Sequence, residues 1–430
     1  MKKPGAGEIK KATLFLIVTC MVILSTSAWA APIGNRLLLS LEDCLAIAMA
    51  NHPALAGADG QIAAQRGRLE QSAAADRPEV LGRISASRSY LSGFERASYS
   101  TGVSASVTIF DANRSKHAIE AQRNALSATE EDKRTIIRDV RASVKSAYMT
   151  LLFSMEVVYH RLQSVRAFES YLEQAVGFYE AGIRPWFNVT MAEVDLGRAQ
   201  LALVEAGSSV EMAKLSLFNA MGIDRPNEEF DFAPVDLEVE ELYAGEAELI
   251  AEALENRSDY RASGLNITAG LSTLRAEARS SSPSVSVSGG LSRGGRELSD
   301  LDSEWNVGVG VSIPIVDGGT SRARMATAAG QLASLEASRE RLRQDITLEV
   351  RRSLSDIANA RERIRISELN IVSAEENRRI AMGRYETGAG DPFEVTNALL
   401  SYTEARLENR RARYDIRLAH VALERAIGRE

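Results

Sequence analysis

The chain has 430 residues, of which 45% are hydrophobic and 25% are charged, so its length and composition support a large folded core. Its net charge of −7 argues against a nucleic-acid partner, because phosphate-binding surfaces usually carry a basic excess. The four histidines, at positions 52, 117, 160 and 420, are scattered, and no catalytic or phosphate-binding motif is present. We therefore expect no enzyme activity, no cofactor and no metal site.

The first 30 residues are predicted to be a secretory signal peptide. Four lysines precede an apolar run over residues 14–24, and Ala28-Trp29-Ala30 supplies a small-x-small cleavage site. The run is too short to span a bilayer comfortably, which counts against the alternative of an uncleaved anchor. Cys20 lies inside this run in a poor context for lipid attachment. Cys44 is then the only cysteine of the mature chain, and we expect it to be buried in a helix.

The mature chain begins with a helix and two strands. The helix covers residues 41–76, with Ser40 as its N-cap and a break or fresh start at Pro53. The period of the hydrophobic pattern then changes to two. Residues 101–109 alternate apolar with small polar side chains, which predicts a strand, and residues 81–90 predict a weaker one. The loop between these strands is expected to begin at Ser92-Gly93 and to include the polar residues that follow.

A long helical hairpin follows the strands. Residues 112–180 contain no proline and no glycine before Gly177, and Asp111 is the predicted N-cap. At 1.5 Å per residue such a helix is roughly 100 Å long, which implies coiled-coil-like partners. A returning helix over residues 188–221 completes the first structural repeat, 31–222. Residues 223–245 are acidic and loop-like, and they are predicted to be a linker.

Residues 246–430 repeat this architecture. The turn segment over residues 179–190 returns as residues 385–396, which is 206 positions later, and Gly182 and Gly388 are expected to end the incoming helices. The second half also has two alternating segments, 284–291 and 305–315, and a long helical run from Thr320 to about residue 384. Along that run apolar residues recur every seven positions, each with a small residue three positions later, a pattern that suits knobs-into-holes packing. The apolar positions are Val350, Ile357, Ile364 and Ile371, and the small ones are Ser353, Ala360, Ser367 and Ala374.

The four strands favour a membrane rather than a soluble sandwich. Each is about ten residues long, which is the length that crosses a bilayer as a tilted strand. Tyr90 and Trp305 lie at strand ends, where membrane-interface aromatics belong. Four strands cannot close a barrel, and an open sheet edge is not tolerated in lipid. If these strands span a membrane, several chains must contribute them to one barrel.

The chain resembles the TolC-type outer-membrane efflux family over nearly all of its mature length. The resemblance rests on the Leu41-Glu-Asp and Asn51-His-Pro opening, the strand pairs before Asp111 and Asp317-Gly-Gly319, and the paired Tyr-x-x-Gly turns. It implies a mainly α fold with membrane β structure. Duplicated long α-helical hairpins would form a periplasmic α-barrel. Four strands per chain would contribute to a trimeric, twelve-stranded outer-membrane β-barrel.

The resemblance also implies a function and partners. A homotrimeric channel-tunnel in outer-membrane lipid would serve a tripartite efflux or type I secretion system. It would passively export what an inner-membrane pump and a periplasmic adaptor protein deliver. The alternative is a soluble periplasmic coiled-coil scaffold or adaptor without a pore. The sequence identifies neither the cargo nor the pump.

The same resemblance assigns two sets of site residues near the turns. The adaptor-docking residues are Ala181, Gly182 and Ile183 in the first turn and Thr387, Gly388 and Ala389 in the second.

The periplasmic gate would comprise Tyr385, Asn188, Glu394 and Asn397. Asn188 replaces the usual acidic partner of the gate tyrosine, so a Tyr385–Asn188 hydrogen bond can form but a charged latch cannot. Asn397 replaces a second acid, and Glu394 would form a single acidic ring.

Two further features bear on the predicted gate. Gly390 stands where the family has a gate arginine, and Arg184 is a candidate to compensate for it. Glu394 also has a simpler interpretation, as a carboxylate that stabilises a helix N-terminus after Pro392.

Overall fold

The computed structural model describes residues 37–91, 94–224, 230–237 and 245–429. The predicted signal peptide, with Cys20, and the predicted loop residues Ser92-Gly93 lie outside these ranges. In chain order the elements are β1 (Leu37–Leu39), α1 (Leu41–Asn51), α2 (Pro53–Ala74), β2 (Glu79–Leu91), β3 (Phe94–Phe110), α3 (Arg114–Glu180), α4 (Phe187–Met221), β4 (Phe230–Phe232), α5 (Glu246–Asn256), α6 (Ser258–Ala278), β5 (Ser284–Glu297), β6 (Asp300–Ser312), α7 (Thr320–Glu386) and α8 (Pro392–Ile427).

A small unit contains the strands β1 and β4. The two strands are parallel, with Leu38 opposite Asp231, and the backbone N–H of Ala233 donates to the carbonyl of Leu39 at 3.0 Å. The sequence predicted only a loop-like linker over residues 223–245. Strand β4 was missed because three residues are too few to show an alternating pattern.

The larger unit contains the predicted helical hairpins. Helices α3 and α7 are 67 residues each, and both ends of α7 lie 206 positions after the matching ends of α3. The start of α3 differs slightly from the prediction, because Asn113 occupies the N-cap position in a left-handed conformation. The Asp111 carboxylate still accepts a hydrogen bond from the backbone N–H of Ser115, at 2.7 Å, so it satisfies one of the free donors of the first turn.

Glycines end the helices where the sequence predicted. Gly182 and Gly388 have φ values of +71° and +78°, a left-handed conformation that glycine adopts without steric cost. The returning helices α4 and α8 also end in left-handed glycines. A Cβ atom on Gly222 would lie 2.6 Å from the Cα atom of His52, and one on Gly428 would lie 3.1 Å from the backbone nitrogen of Arg257. Each returning helix therefore ends directly against the junction between the two short helices of its own repeat.

The junction between α1 and α2 is a fresh helix start, as Pro53 indicated. His52 caps α2, since its Nδ1 atom accepts a hydrogen bond from the backbone N–H of Ala54 at 3.2 Å. Cys44 of α1 is fully buried, which confirms its predicted environment, and burial raises the pKa of its thiol to about 11.

The heptad pattern of α7 marks its packing face. Val350 and Ile357 are buried, as are the small residues Ser353 and Ala360. Buried Ser367 accepts a hydrogen bond from the side chain of Asn409 on α8, at 3.0 Å. The predicted seam of large and small residues is confirmed as the contact between the two helices of the hairpin. Near the turns, a buried apolar cluster joins α3, α4, α7 and α8, and it comprises Val165, Phe168, Tyr171, Ala175, Val189, Ala192, Ala199, Tyr385, Val395 and Leu399.

The four long strands form one antiparallel sheet in the order β2-β3-β5-β6. Strands β3 and β5 join the two repeats, with Val107 opposite Val287. The strands are 13 to 17 residues long, which exceeds the predicted ten. Residues 94–100, which were expected to form a loop, pair with β2 because backbone hydrogen bonding does not require an alternating side-chain pattern.

Many large apolar side chains of this sheet are exposed in the part of the chain that the structure describes. Ile84 on β2 is 86% exposed, and Trp305 and Val307 on β6 are 76% and 73% exposed. Strands β2 and β6 lie at the two edges of the sheet. Across the helices of the described ranges, none has the combined length and hydropathy of a membrane span.

The close approach at Gly222 makes a test of the fold. Gly222→Ala should lower the midpoint of thermal unfolding of the detergent-extracted protein, because a left-handed residue with a Cβ costs about 1–2 kcal/mol before any clash with His52. Gly57→Ala is the matched control. A Cβ there meets nothing within 4 Å, and the change from glycine to alanine inside helix α2 should stabilise it slightly. Equal midpoints for the two variants would contradict the contact.

Candidate functional site at the hairpin turns

The two helical turns lie side by side, and their predicted docking residues are all accessible. Exposed positions in the first turn are Ala181, Gly182 and Ile183, and those in the second are Thr387, Gly388 and Ala389. Three tertiary contacts described below join the two turns and the helices next to them. The structure therefore brings the two sets of predicted residues into one surface, although their positions differ by about 206 in the chain.

The second turn has room for glycine alone at position 390. The backbone N–H of Gly390 donates to the carbonyl of Arg384 at 2.8 Å. A Cβ atom at this position would lie 2.7 Å from the backbone nitrogen of Tyr385. Asp391 then caps α8, since its side chain accepts a hydrogen bond from the backbone N–H of Phe393 at 2.9 Å. An arginine at position 390 would not fit this turn.

Arg184 of the first turn reaches the second turn. Its Nη2 atom donates to the carbonyl of Gly390 at 2.6 Å and lies 3.3 Å from that of Gly388. Its guanidinium carbon lies 4.6 Å from the centroid of the Tyr385 ring, within the range of a cation–π contact. Arg184 therefore places a cation beside Tyr385 from the opposite hairpin.

Tyr385 is held by aromatic contacts rather than by Asn188. Its ring is fully buried and meets the edges of Tyr171 and Phe178 at centroid distances of 5.3 and 5.4 Å. Its hydroxyl group interacts with that of Tyr171 and makes no hydrogen bond to Asn188. The Tyr385–Asn188 hydrogen bond suggested by the sequence is therefore not formed, although Asn188 is buried. Burial raises the pKa of Tyr385, and the nearby Arg184 guanidinium opposes that shift.

Two further ties between the hairpins were missed from the sequence. The Tyr171 hydroxyl donates to the carbonyl of Pro392 at 3.3 Å. The Thr396 hydroxyl donates to the carboxylate of Asp195 at 2.7 Å, in a buried contact between α8 and α4. Asp195 shares its helix face with buried Ala192 and Ala199, three positions before and four after it. An acidic residue on an otherwise apolar helix face is a sequence signal from which this buried polar contact could have been predicted.

Comparison with known protein families identifies the family of this chain. The profile of the outer membrane efflux protein family matches residues 45–223 and 249–429, which is most of the chain. The chain belongs to the outer membrane efflux protein family. Membership confirms the resemblance drawn from the sequence. It places the chain in the outer membrane of a Gram-negative bacterium, as the channel component of an efflux or secretion system.

Relatives and solved structures agree with this family. The chain is 21% identical over 402 residues to the outer membrane efflux protein BepC of Brucella suis, covering 91% of this chain and 85% of that protein. Its fold is similar to CusC, with a TM-score of 0.82, 19% identity and coverage of 93% and 95% of the two chains. The Campylobacter jejuni CmeC outer membrane channel gives a TM-score of 0.80 at 17% identity, over 90% and 85% of the two chains. These structures confirm the predicted fold of long helices with a few strands.

Within this outer membrane efflux protein, Glu394 and Asn397 lie in the first two turns of α8. Both are exposed, and their spacing of three places them on one helix face. The Glu394 carboxylate lies 3.5 Å from the Nε atom of Arg384. Its charge is therefore partly balanced within one chain. The position after Pro392 also fits a carboxylate that stabilises the N-terminus of α8.

The Asp195–Thr396 contact gives a test of this site. Thr396→Val should destabilise the protein by about 1–3 kcal/mol, because it removes a hydrogen bond to a buried carboxylate. Thr190→Val is the control. Thr190 is the equivalent residue of the first repeat, is only half-buried, and bonds to the carbonyl of Phe187 in its own helix. Thermal unfolding should separate the two variants, and similar losses of stability would contradict the assigned contact.

Proposed function

We propose that three copies of the chain form one passive export duct through the outer membrane. The helical turns close its periplasmic end until an adaptor protein and an inner-membrane pump engage it. One observation carries the proposal: among the described residues, the edge strands β2 and β6 each pair on one side only, and large apolar side chains of the sheet are exposed.

The open edges require further copies. Lipid supplies no hydrogen-bond partner for the backbone groups of β2 and β6, so both edges must be paired with protein. The four strands alternate in direction, which makes β6 of one copy antiparallel to β2 of the next. Three copies joined in this way give twelve strands, a number within the range of closed outer-membrane barrels.

The helices support association between copies as well. Helices α4 and α7 carry large apolar side chains that are exposed in one chain, and contiguous apolar patches of this kind mark interfaces. We infer that α4 of one copy packs against α7 of the next. The residues concerned are Val194, Leu201, Val204 and Met212 on α4, and Leu348, Ile366, Leu369 and Val372 on α7.

The turns fit the docking of an adaptor protein. The first turn exposes apolar side chains, and the rings of Tyr179 and Trp186 lie 5.0 Å apart in an edge-to-face contact. Ile183 and Phe187 extend this surface, at 60% and 70% exposure. Gly182 has no side chain and therefore allows a partner backbone to approach closely. These properties suit an adaptor that binds through an apolar tip.

The contacts between the turns fit a closed gate. Arg184, the Tyr171–Pro392 contact and the Asp195–Thr396 contact all join the first hairpin to the second. We infer that the duct opens when the hairpins separate and these contacts break. Energy for transport would come from the pump, since the duct itself is passive.

A soluble periplasmic scaffold is the competing function, and cell fractionation separates the two. The duct predicts recovery in the outer membrane, extraction only by detergent, a particle mass of three copies and ion conductance in planar bilayers. Recovery as a water-soluble monomer would contradict it. So would a detergent-extracted particle of one chain.

The gate proposal predicts a role for Arg184. Arg184→Ala should raise the open probability in planar bilayers by roughly five- to 150-fold. Two carbonyl contacts and a cation–π contact are together worth about 1–3 kcal/mol, and each 1.4 kcal/mol is a factor of ten. Arg184→Lys should be intermediate, because an ammonium group keeps the charge but not the planar fork. Arg365→Ala, which removes an exposed pair with Glu362, should leave conductance unchanged. An unchanged open probability in Arg184→Ala would show that the Arg184 contacts do not hold the gate closed.

The acidic ring makes a separate prediction. Three Glu394 carboxylates around a narrow opening would concentrate divalent cations there. Glu394→Ala should therefore weaken the block of conductance by divalent cations. Glu376→Ala, which removes an exposed carboxylate paired with Arg379, should not. If the block is the same in wild type and Glu394→Ala, Glu394 does not form the ring.

A further inference from the structure

A cavity of about 370 Å³ lies between α3, α7 and α8, apart from the turn contacts described above. Three arginines line it, one from each helix: Arg166, Arg378 and Arg406. His160 and Tyr402 complete its wall, with the hydroxyl-bearing Thr403 beside them. The lining is therefore strongly basic, in a chain whose net charge is −7.

The three arginines have no acidic partner. Across the described ranges, no carboxylate lies within ion-pair distance of Arg166, Arg378 or Arg406, and the buried Nε atom of Arg378 makes no hydrogen bond. Several other arginines of α7 take carboxylate partners, as Arg379 does with Glu376 at 2.5 Å and Arg363 with Glu408 at 2.6 Å. Arg166, Arg378 and Arg406 differ from these pairs because they share one cavity without a carboxylate at ion-pair distance in the described ranges.

Tyr402 positions two of these arginines without neutralising them. The guanidinium carbons of Arg378 and Arg406 lie 4.9 and 5.6 Å from the centroid of its ring. Cation–π contacts of this kind orient a guanidinium group and leave its N–H donors free for a ligand. The pair is therefore held in place with hydrogen-bond donors available at the cavity.

His160 adds a buried imidazole to the same wall. The side chain is 3% exposed, and its Nε2 atom makes no hydrogen bond. The nearest carboxylate, Glu156, lies 3.6 Å away, and Arg410 lies 3.9 Å from that same carboxylate. Burial and the charge of Arg406 lower the pKa of His160, Glu156 opposes this, and Arg410 adds to it. The cavity wall therefore holds a nearly fully buried imidazole that faces Glu156, beside three arginines that have no carboxylate at ion-pair distance in the described ranges.

We propose that this cavity binds a small oxyanion carrying at least two negative charges. Guanidinium groups recognise phosphate and carboxylate oxygens through paired N–H donors, which favours such ligands over simple halides. Three like charges around a partly buried cavity repel one another, and a polyvalent anion relieves that repulsion. The volume falls within the range of small-molecule sites.

The ligand would bridge the two hairpins. Arg166 belongs to the first hairpin, and Arg378 and Arg406 belong to the second. A bound anion therefore adds a tie between α3 and the α7–α8 pair, some distance along the helices from the turns. This inference rests on the cavity and its charges, and it stands independently of the proposed duct.

Calorimetry on the full-length, detergent-extracted protein tests the proposal. Pyrophosphate and citrate are titrated separately in a phosphate-free chloride buffer, which distinguishes phosphoryl from carboxyl recognition. We expect saturable binding of at least one of them. Arg378→Gln and Arg406→Gln should each weaken that binding tenfold or more. Arg379→Gln, at the next position, should bind as wild type does, because its exposed side chain is paired with Glu376.

A second readout separates binding from a general loss of stability. In protein labelled with ¹³C at histidine, the pKa of His160 should rise when the anion binds, because a negative charge favours the imidazolium form. His160→Asn assigns the resonance, and the signal of His52, which lies in another part of the chain, should not shift. Thermal unfolding shows whether each variant is folded.

Three outcomes would overturn the proposal. The first is the absence of saturable binding of both anions to the wild-type protein. The second is unchanged affinity in Arg378→Gln and Arg406→Gln. The third is the same loss of affinity in Arg379→Gln. If carboxylates of a second copy fill the cavity instead, wild type will bind neither anion and Arg378→Gln will dissociate the oligomer, which also overturns it.

Discussion

The unpaired backbone groups at the two edges of the sheet constrain everything else in this protein. Strands β2 and β6 expose one row of N–H and C=O groups each, and lipid cannot satisfy them. A single chain therefore cannot be a finished membrane structure. In the proposed duct, the exposed apolar face of the sheet would meet lipid, and the exposed apolar residues of α4 and α7 would meet neighbouring copies.

Duplication of the hairpin explains why the two long helices are alike. The contact between the turns arises where the two repeats differ in sequence. Helices α3 and α7 have equal lengths and the same offset of 206 positions. Arg184 and Gly390 are equivalent positions of the two repeats by that offset, and they contact each other directly. One turn supplies a cation and the other supplies carbonyl oxygens in a backbone too tight for any side chain. The asymmetry of the two turns therefore creates a contact that two identical turns could not make.

Charge is distributed unevenly along the helical hairpins. Near the turns, Glu394 is exposed and lies beside Arg384. Further along the helices, three unpaired arginines and a buried imidazole surround one cavity. Most other arginines of α7 and α8 form pairs with carboxylates, which are individually weak when exposed but keep those surfaces neutral. The basic cavity differs from these pairs because its three arginines share one space without a carboxylate at ion-pair distance in the described ranges.

The sequence alone determined the two repeats, the long helices, the glycines that end them and the heptad seam of α7. The repeats show as matching segments at a constant offset of 206 positions. The helices, their terminal glycines and the seam depend on residues within one or two turns of one another, so a local period or a glycine is sufficient to reveal them. Only the tertiary structure decided that Arg184 meets Gly390, that Thr396 binds Asp195, that residues 94–100 extend a strand, and that three arginines share a cavity. The side-chain contacts join residues about 200 positions apart, and no local pattern encodes which distant residue will face which. The strand extension depends on its hairpin partner supplying backbone hydrogen bonds, which side-chain alternation does not record.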